Sequence, residues 1–317
     1  MNSLTIREIA FLAALNDNYT LKRQGYAGYF RNPADLHNLH TDIFESGADA
    51  RGAYPDYIRP LIARAEELQK SDRILFYIDI IREYQQNGIR ILPIFGADYP
   101  KKLAEIQDPP FILYQMGREE SFAKPAAAIV GTRMISRAGT ECAREVAEIL
   151  VRLGYTIVSG LALGTDACAH AAAIDYGGET IAVLPGDVRT VVPQKNRPLA
   201  ERIVGAGSLL GEITHLAGMH KGRFLERNRI TSGLSDGVVV IETGKSGGSI
   251  RQVETAFRQG RPVYALKPDV SDAKVVAGYH HLVEAGAVPV ESPEDLVRHF
   301  GQMQHPAPRM TTLADFW

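Results

Sequence analysis

Ala126-Ala127-Ala128-Ile129-Val130-Gly131-Thr132-Arg133 is the stretch on which the reading of the whole chain turns. An apolar run, the length of one buried strand, ends at a glycine, a hydroxyl residue and an arginine. Apolar residues at helical spacing follow over 138–153. In an open parallel sheet, the turns leaving the carboxyl ends of the strands form the ligand crevice. A helix N-terminus beside such a turn favours an anion through its free N–H groups and its dipole. The turn Gly131-Thr132-Arg133 is therefore expected to hold a phosphate, with Arg133 at the centre of the site.

Outward from this unit the pattern repeats. Short apolar runs stand at 127–131, 156–159, 180–184, 208–213, 238–242, 262–266 and 287–290. Helical spacing fills 138–153, 166–177, 196–206, 225–234, 249–260, 278–285 and 292–300. Near-continuous apolar strands alternating with helices predict an α/β fold with a doubly wound, mostly parallel sheet. Two more strand-like runs, 89–94 and 111–114, precede it and flank Asp98-Tyr99-Pro100 and Pro109-Pro110. Ser292-Pro293-Glu294-Asp295 combines an N-cap, a proline at the first helical position and an acid in the first turn, and so predicts a helix start.

Residues 1–85 read as a small helical domain. Thr5 and Glu8 fit a capping box ahead of Ile9, Leu12 and Leu15. Gly25, Gly28, Pro33, Gly47, Gly52 and Pro55 break the chain into short helical pieces, and 65–84 has helical apolar spacing. The expected organisation is a helical domain at 1–85, a sheet domain at 86–300 and a flexible tail at 301–317. The tail holds two prolines and no periodicity.

Bulk properties narrow the function classes. The 317 residues carry a net charge of −2, so no global field draws the protein to nucleic acid or membrane, and any polyanion site must be a local cluster. The two cysteines, Cys142 and Cys168, lie inside helical patterns and read as small apolar residues in a reducing compartment. No apolar run reaches the ~18 residues of a membrane span. No signal peptide is expected, and the expected location is cytoplasmic.

The loops after the strands share one edge of the sheet and are rich in small residues: Ser159-Gly160-Leu161-Ala162-Leu163-Gly164, Pro185-Gly186-Asp187, and Thr243-Gly244-Lys245-Ser246-Gly247-Gly248-Ser249. Small residues let a ligand approach the backbone, and exposed N–H groups suit phosphate. The sharpest cluster is His220-Lys221-Gly222-Arg223-Phe224-Leu225-Glu226-Arg227-Asn228-Arg229-Ile230, where four Lys and Arg accompany one acid and an aromatic. Cations bind phosphates and an aromatic face can stack a base. The alternative is a solvated helix start, with Phe224 as a hydrophobic staple. Arg227 and Arg229 cannot share a helix face, so one of them is expected to be tied to carbonyls or an acid of the sheet.

Other motifs fail on context. Gly244-Lys245-Ser246 resembles the end of a P-loop, but Val239 stands where that loop needs a glycine. Asp166 and His170, at i, i+4, could bind metal; the preferred reading is a helix cap and a packed histidine. No G-x-G-x-x-G follows a strand. Glu212 and Glu242 have no partner that the sequence identifies. No cofactor, no metal and no catalytic residue is expected.

These residues resemble the bacterial DNA-processing protein family known as DprA or Smf. The similarity covers roughly 88–300. It includes Asp98-Tyr99-Pro100, Pro109-Pro110, Val130-Gly131-Thr132-Arg133, and Ser159-Gly160-Leu161-Ala162 with Gly164, Asp166, Ala169 and His170. It continues through Phe224, Arg227-Asn228-Arg229-Ile230, Gly233-Leu234-Ser235, Gly248-Ser249, Gly260-Arg261 and Gly278-Tyr279-His280-His281-Leu282-Val283 with Gly286-Ala287. The resemblance implies an extended Rossmann-like fold that binds single-stranded DNA without sequence preference, protects the strand and loads the RecA recombinase on it during natural transformation. It also implies an N-terminal helical (SAM-like) domain. A winged helix, carried by some members, does not fit in 301–317.

The resemblance assigns Arg133 and Lys221 to phosphates, Phe224 to a base, and Arg227 and Arg229 to lining or bracing the pocket. Asn228 accompanies them, and Gly131, Thr132, Ser159, Gly160, Gly248 and Ser249 supply the loops of the expected DNA-binding set. It implies a homodimer; the helix at 280–285 and the strand at 287–290 carry Leu282 and Val283 for this, against ordinary core packing. The chain departs from the usual pattern at Leu163 (usually arginine), Thr165, Asp187-Val188-Arg189, Gly211, Gly247, Gln252 and Lys267-Pro268, which marks a divergent member with a shifted phosphate path. A nucleotide-handling enzyme of the phosphoribohydrolase kind, using Gly247-Gly248-Ser249 and Glu254, is the alternative; a binding module for a nucleotide or protein partner is another.

Overall fold

The computed structural model describes residues 4–17, 63, 66–68, 72–122 and 124–304. The glycines and prolines expected to break the chain between 25 and 55, and the tail from 305 onward, lie outside the described residues. Helix α1 (Ile6–Asp17) starts as its capping box requires: Thr5 N donates to Glu8 Oε2 at 2.7 Å and Glu8 N donates to Thr5 Oγ1 at 3.3 Å. Helix α2 (Arg73–Gln86) follows. The strands are β1 (Arg90–Pro93), β2 (Ile112–Gly117), β3 (Ala126–Val130), β4 (Thr156–Ser159) and β5 (Thr180–Val183), then β6 (Ser208–Gly211), β7 (Gly237–Val240), β8 (Val263–Leu266) and β9 (Val288–Val290). Between and after them lie α3 (Arg137–Arg152), α4 (Thr165–Asp175), α5 (Arg197–Ala206), α6 (Gly222–Gly233), α7 (Gly248–Arg258), α8 (Ala273–Glu284) and α9 (Asp295–Gln304).

Among the described residues one nine-stranded sheet runs in the order β1-β2-β6-β5-β4-β3-β7-β8-β9. The β1–β2 and β2–β6 pairs are antiparallel and the others parallel. This is the expected α/β, doubly wound and mostly parallel architecture. Strand β3 shows why its sequence is apolar throughout. Ala127 and Ile129 face the layer of α3, α4 and α9, packing with Val146, Leu150, Ala169 and Phe300. Ala128 and Val130 face the other layer, with Ile250 and Val253 of α7 and Leu282 of α8. Covered on both sides, the strand has no solvent face on which a polar residue could alternate.

The chain steps from β3 through β4, β5 and β6 in one direction, then returns to β7 on the other side of β3. The carboxyl ends of β3 and β7 therefore flank the topological switch point, where an open α/β sheet binds its ligand. The described N-terminal helices join this body: Phe11, Leu12, Leu15, Ile81 and Tyr84 form one core cluster with Ile112 and Tyr114 of β2 and Ile203 of α5.

Three expectations are corrected. Helix α6 begins at Gly222, not 225, and so takes in Phe224. Helix α8 begins at Ala273, not 278, because Asp272 caps it, accepting from Lys274 N at 2.8 Å. Leu282, expected on an exposed self-association face, is 2% exposed. It lies four residues from buried Gly278, on the face of α8 that packs on the sheet. Val283 beside it is half-buried. Among the described residues no helix is long and apolar enough to cross a membrane.

Candidate nucleic-acid interface

The turn after β3 is fixed by its neighbours. Thr132 N donates to the carbonyl of Glu242 at 2.7 Å, just beyond β7. The Thr132 carbonyl accepts from both Thr165 N and Thr165 Oγ1, each at 3.1 Å, at the start of α4. Ser136 caps α3, its Oγ accepting from Gly139 N at 2.9 Å. Glu242 holds that cap in turn, taking Ser136 N on Oε2 at 3.0 Å and Ser136 Oγ on Oε1 at 2.5 Å. The partner of Glu242 that sequence could not name is thus the N-cap of the neighbouring helix. Arg133 projects from this laced turn into solvent.

Opposite it stands the first turn of α6. The Arg133 guanidinium lies 5.7 Å from the centroid of the half-buried Phe224 ring, a cation–π pair. Lys221, one residue before the helix, is exposed. Neither Arg133 nor Lys221 has an ion-pair partner among the described residues. Between the turn and the helix opens a cavity of about 420 Å³. Its walls include Gly131, Arg133, Gly160, Lys221, Phe224, Arg227 and Asn228, with Gly248 and Ser249 from the start of α7, whose first amides no side chain caps.

Arg227 forms the floor. It is 8% exposed, and its Nη1 donates to the carbonyl of Val183 at 2.7 Å. Its guanidinium lies on Gly160, where a Cβ would overlap it, so only glycine lets this arginine fill the site. Asp166, also lining the cavity, accepts from Gly160 N at 3.2 Å and Ala162 N at 3.3 Å. Burial pushes its carboxyl above the ordinary value, against the attraction of Arg227. Burial likewise lowers Arg227, which Asp166 opposes. Behind them, His170 Nδ1 sits 2.6 Å from Thr180 Oγ1, whose own hydrogen goes to the Ile157 carbonyl at 2.7 Å. Burial, aided by Arg227, brings the imidazole down to about 3, so it is neutral at physiological pH. His170 is packed in the interior, but Asp166 is not the cap of α4: Gly164 stands at that position with no side-chain cap, and Asp166 holds the loop before the helix instead.

The expected residues separate into two groups. Arg133, Lys221, Phe224, Arg227, Asn228, Gly131, Gly160, Gly248 and Ser249 come together on the cavity. Thr132, Ser159 and Arg229 do not. Thr132 Oγ1 accepts from Met134 N at 3.1 Å. Ser159 is buried and gives its hydroxyl to the Ile129 carbonyl at 2.7 Å. Arg229 points away from the cavity into a buried pair with Glu212 at 2.5 Å and with Asp108 at 3.3 Å. Arg229 therefore braces the sheet. The cluster's outward charge is smaller than its composition suggests, because Arg223 also turns inward, pairing with Glu226 at 3.1 Å. Thr231 also lines the cavity and went unread in sequence, and two others were given no role there: Leu225, half exposed at the rim, and Gln252, one turn after Gly248 and bonded to the Asn228 carbonyl at 2.9 Å.

A larger cleft of about 670 Å³ opens near the amino ends of the strands, by Pro125 and Ala126. Three of its cations are neutralised: Arg90 by Asp98 at 2.7 Å, Lys102 by Asp236 at 2.5 Å and Lys124 by Glu179 at 2.8 Å. Size favours this cleft for a ligand, but of its four lining cations only Lys101 is left without an ion pair among the described residues, whereas at the smaller site Arg133 and Lys221 are both unpaired beside an aromatic ring.

The family described as DNA recombination-mediator protein A matches residues 90–301, more than half of the chain. The chain is 36% identical to the Smf protein of Synechocystis over 225 residues, covering 70% of this chain and 56% of that protein. It is 35% identical to the DNA processing protein DprA of Bacillus subtilis over 218 residues, covering 68% of this chain and 73% of that one. The crystal structure of DprA from Streptococcus pneumoniae superposes with a TM-score of 0.73 at 30% identity, over 94% of this chain and 99% of that one. A Helicobacter pylori DNA processing protein A structure, described for its single-stranded DNA binding mode, gives 0.61 at 27% identity over 68% of this chain and 96% of that one. On the family match over 90–301, the sequence identity to its members and the shared fold, this chain belongs to the DNA recombination-mediator protein A family.

Proposed function

We propose that the protein binds single-stranded DNA across the carboxyl edge of its sheet, without sequence preference and without catalysis. It shields the strand and passes it to the RecA recombinase in the cytoplasm. The observation that carries this reading is the Arg133–Phe224 pair at the mouth of a cavity floored by Arg227. A cation takes a phosphate and an adjoining aromatic face takes a base, the combination that sequence-tolerant single-strand binders use. The single-stranded DNA named for the Helicobacter pylori relative supports the same assignment. In the dimer the free edge of the sheet at β9, beside α8, meets a second copy.

The phosphoribohydrolase alternative loses its acid. Glu254 lies on the outer side of α7, 44% exposed and paired with Arg251 at 3.0 Å, and does not line the cavity. The test of the leading reading is a titration of labelled single-stranded and duplex oligonucleotides at two salt concentrations. Tighter, salt-sensitive binding of the single strand, weakened alike for all sequences by Arg133→Ala and by Lys221→Ala, is the expected result. Affinity unchanged in both variants overturns the site.

A further inference from the structure

The segment that carries Lys221 and Phe224 is held by the N-terminal helices, outside the residues the family description matches. After β6 the chain runs from Glu212 through a single turn at His215–Ala217 and Gly218 to α6, with little regular hydrogen bonding of its own. The last two residues of α1 supply what it lacks. Asn16, 1% exposed, donates Nδ2 to the carbonyls of Glu212 and, at 2.9 Å, of Ile112, and its Oδ1 accepts from Phe111 N at 3.1 Å. Asp17 takes Thr214 N on Oδ1 at 2.9 Å and the Thr214 hydroxyl on Oδ2. Thr214 is the N-cap of the following turn, its Oγ1 accepting from Leu216 N at 3.2 Å. The backbone carbonyl of Asp17 accepts from Arg223 Nη2 at 3.3 Å, which draws Arg223 inward between Lys221 and Phe224.

Helix α2 grips the same turn. Tyr84 OH donates to Asp187 Oδ2 at 2.6 Å, and Arg189 lies 4.5 Å over the Tyr84 ring. Arg189 also pairs with Glu83 at 2.7 Å and with Asp187 at 2.9 Å, and its Nη2 sits 3.0 Å from His215 Nδ1. Two independent ties therefore converge on residues 212–215, six to twelve residues before the contacts to DNA.

We infer that the C-terminal ends of α1 and α2 position Lys221 and Phe224 for single-stranded DNA, with Asp17 as the principal positioning residue; this rests on the DNA reading above. Asp17 does not line the cavity and acts through Thr214 and Arg223. A loop that reaches its binding geometry only one-tenth of the time raises the apparent Kd about tenfold, although every contact residue is intact.

The experiment uses the full chain with Asp17→Ala, Thr214→Val and Asp17→Asn, a fluorescein-labelled oligothymidylate as probe, and amide hydrogen exchange of the free protein. Thr214→Val removes the hydroxyl half of the tie, and the cap on Leu216 N, from the other side without touching α1, while the Thr214 N–H bond to Asp17 remains, so a folding defect in Asp17→Ala does not decide the matter. Expected are faster exchange at 214–224, unchanged exchange in β3 to β5, and about tenfold weaker binding in the first two variants. Asp17→Asn, which keeps both contacts with one reversed, restores near wild-type binding. Wild-type protein that does not bind the probe overturns the DNA reading and this role with it. Wild type that binds, with Asp17→Ala and Thr214→Val binding equally well or exchanging no faster, overturns the positioning role alone.

Discussion

Arg133, at the end of the turn after β3, stacks its guanidinium 5.7 Å from the centroid of Phe224, at the start of α6. The pair joins the two stretches that the sequence singled out separately, and each leans on the other for orientation. Arg133→Ala removes one phosphate contact, so the slope of log K against log salt falls by about 0.7 for a single strand. Phe224→Ala removes the stacking surface and costs ~1–3 kcal/mol of binding, with little change in slope. Anisotropy titrations at three salt concentrations separate the two effects. Equal slopes for wild type and Arg133→Ala, or a changed slope in Phe224→Ala, contradict the assignment.

Leu163 tests the path of the strand beyond that pair. It is 38% exposed and precedes Gly164, whose φ of 77° folds the loop against the backbone of Thr132 and Arg133. An arginine there places a second cation beside Arg133. Leu163→Arg is expected to steepen the salt slope by about 0.7 and to tighten binding at low salt. Binding unchanged at every salt concentration places the strand elsewhere on the edge.

Much of this was legible before the structure, and the reasons differ by residue. The strands of the parallel core announce themselves because both faces are buried, as Ala127 and Ala128 show by facing opposite layers. The turn at Arg133 follows from its place after such a strand. The destinations of the basic cluster were not legible. Helical spacing said that Arg227 and Arg229 diverge, but not that one floors the cavity over Gly160 while the other pairs with Glu212. That depends on Val183, Asp108 and Glu212, brought close only by the order of the sheet. Likewise, nothing near Asn16 or Asp17 in sequence names Glu212 or Thr214, about two hundred residues on.

The buried groups beneath the cavity make a pH prediction of definite sign. His170 is held down to about 3 from an unfolded value of 6.5 by burial, with Arg227 adding to it. Its neutral form is fully accommodated above 6.5. As pH falls from 6.5 toward 3 the unfolded chain takes up the proton that the native state refuses. This group therefore costs about 1.4 kcal/mol of stability per pH unit across that window. Asp166 works the other way. Its carboxyl is raised, so the native state binds its proton first and regains stability as pH drops through that raised value. His170→Gln is expected to unfold in urea with a flatter pH profile between 6.5 and 4 than wild type. A profile as steep as wild type rules out His170 as the source.

Arg227 gives a related prediction at neutral pH. Arg227→Met removes the nearby positive charge that favours the buried Asp166 carboxylate, together with the hydrogen bond to the Val183 carbonyl, and is expected to destabilise the protein at neutral pH. The deficit should shrink as pH falls and Asp166 becomes protonated. Gly160→Ala, which pushes the guanidinium out of its seat, should show the same pH-dependent deficit in weaker form. Urea midpoints at pH 7 and pH 4 measure it, and a deficit equal at both pH values removes Asp166 from the account.

The last prediction concerns self-association. Strand β9 closes the sheet on one side and leaves a row of backbone groups unpaired by any described strand. Such an edge invites pairing, and a charge placed on it discourages that. Pro289 is exposed on β9, far along the sheet order from the strands β4 to β6. Light scattering is expected to show a dimer for the wild type at micromolar concentration and a monomer for Pro289→Lys. Binding of a short oligonucleotide to a single site should be the same in both, since none of the cavity residues lies on β9. A wild type that remains monomeric at high concentration removes the dimer, and a Pro289→Lys variant that still dimerises moves the interface off this edge.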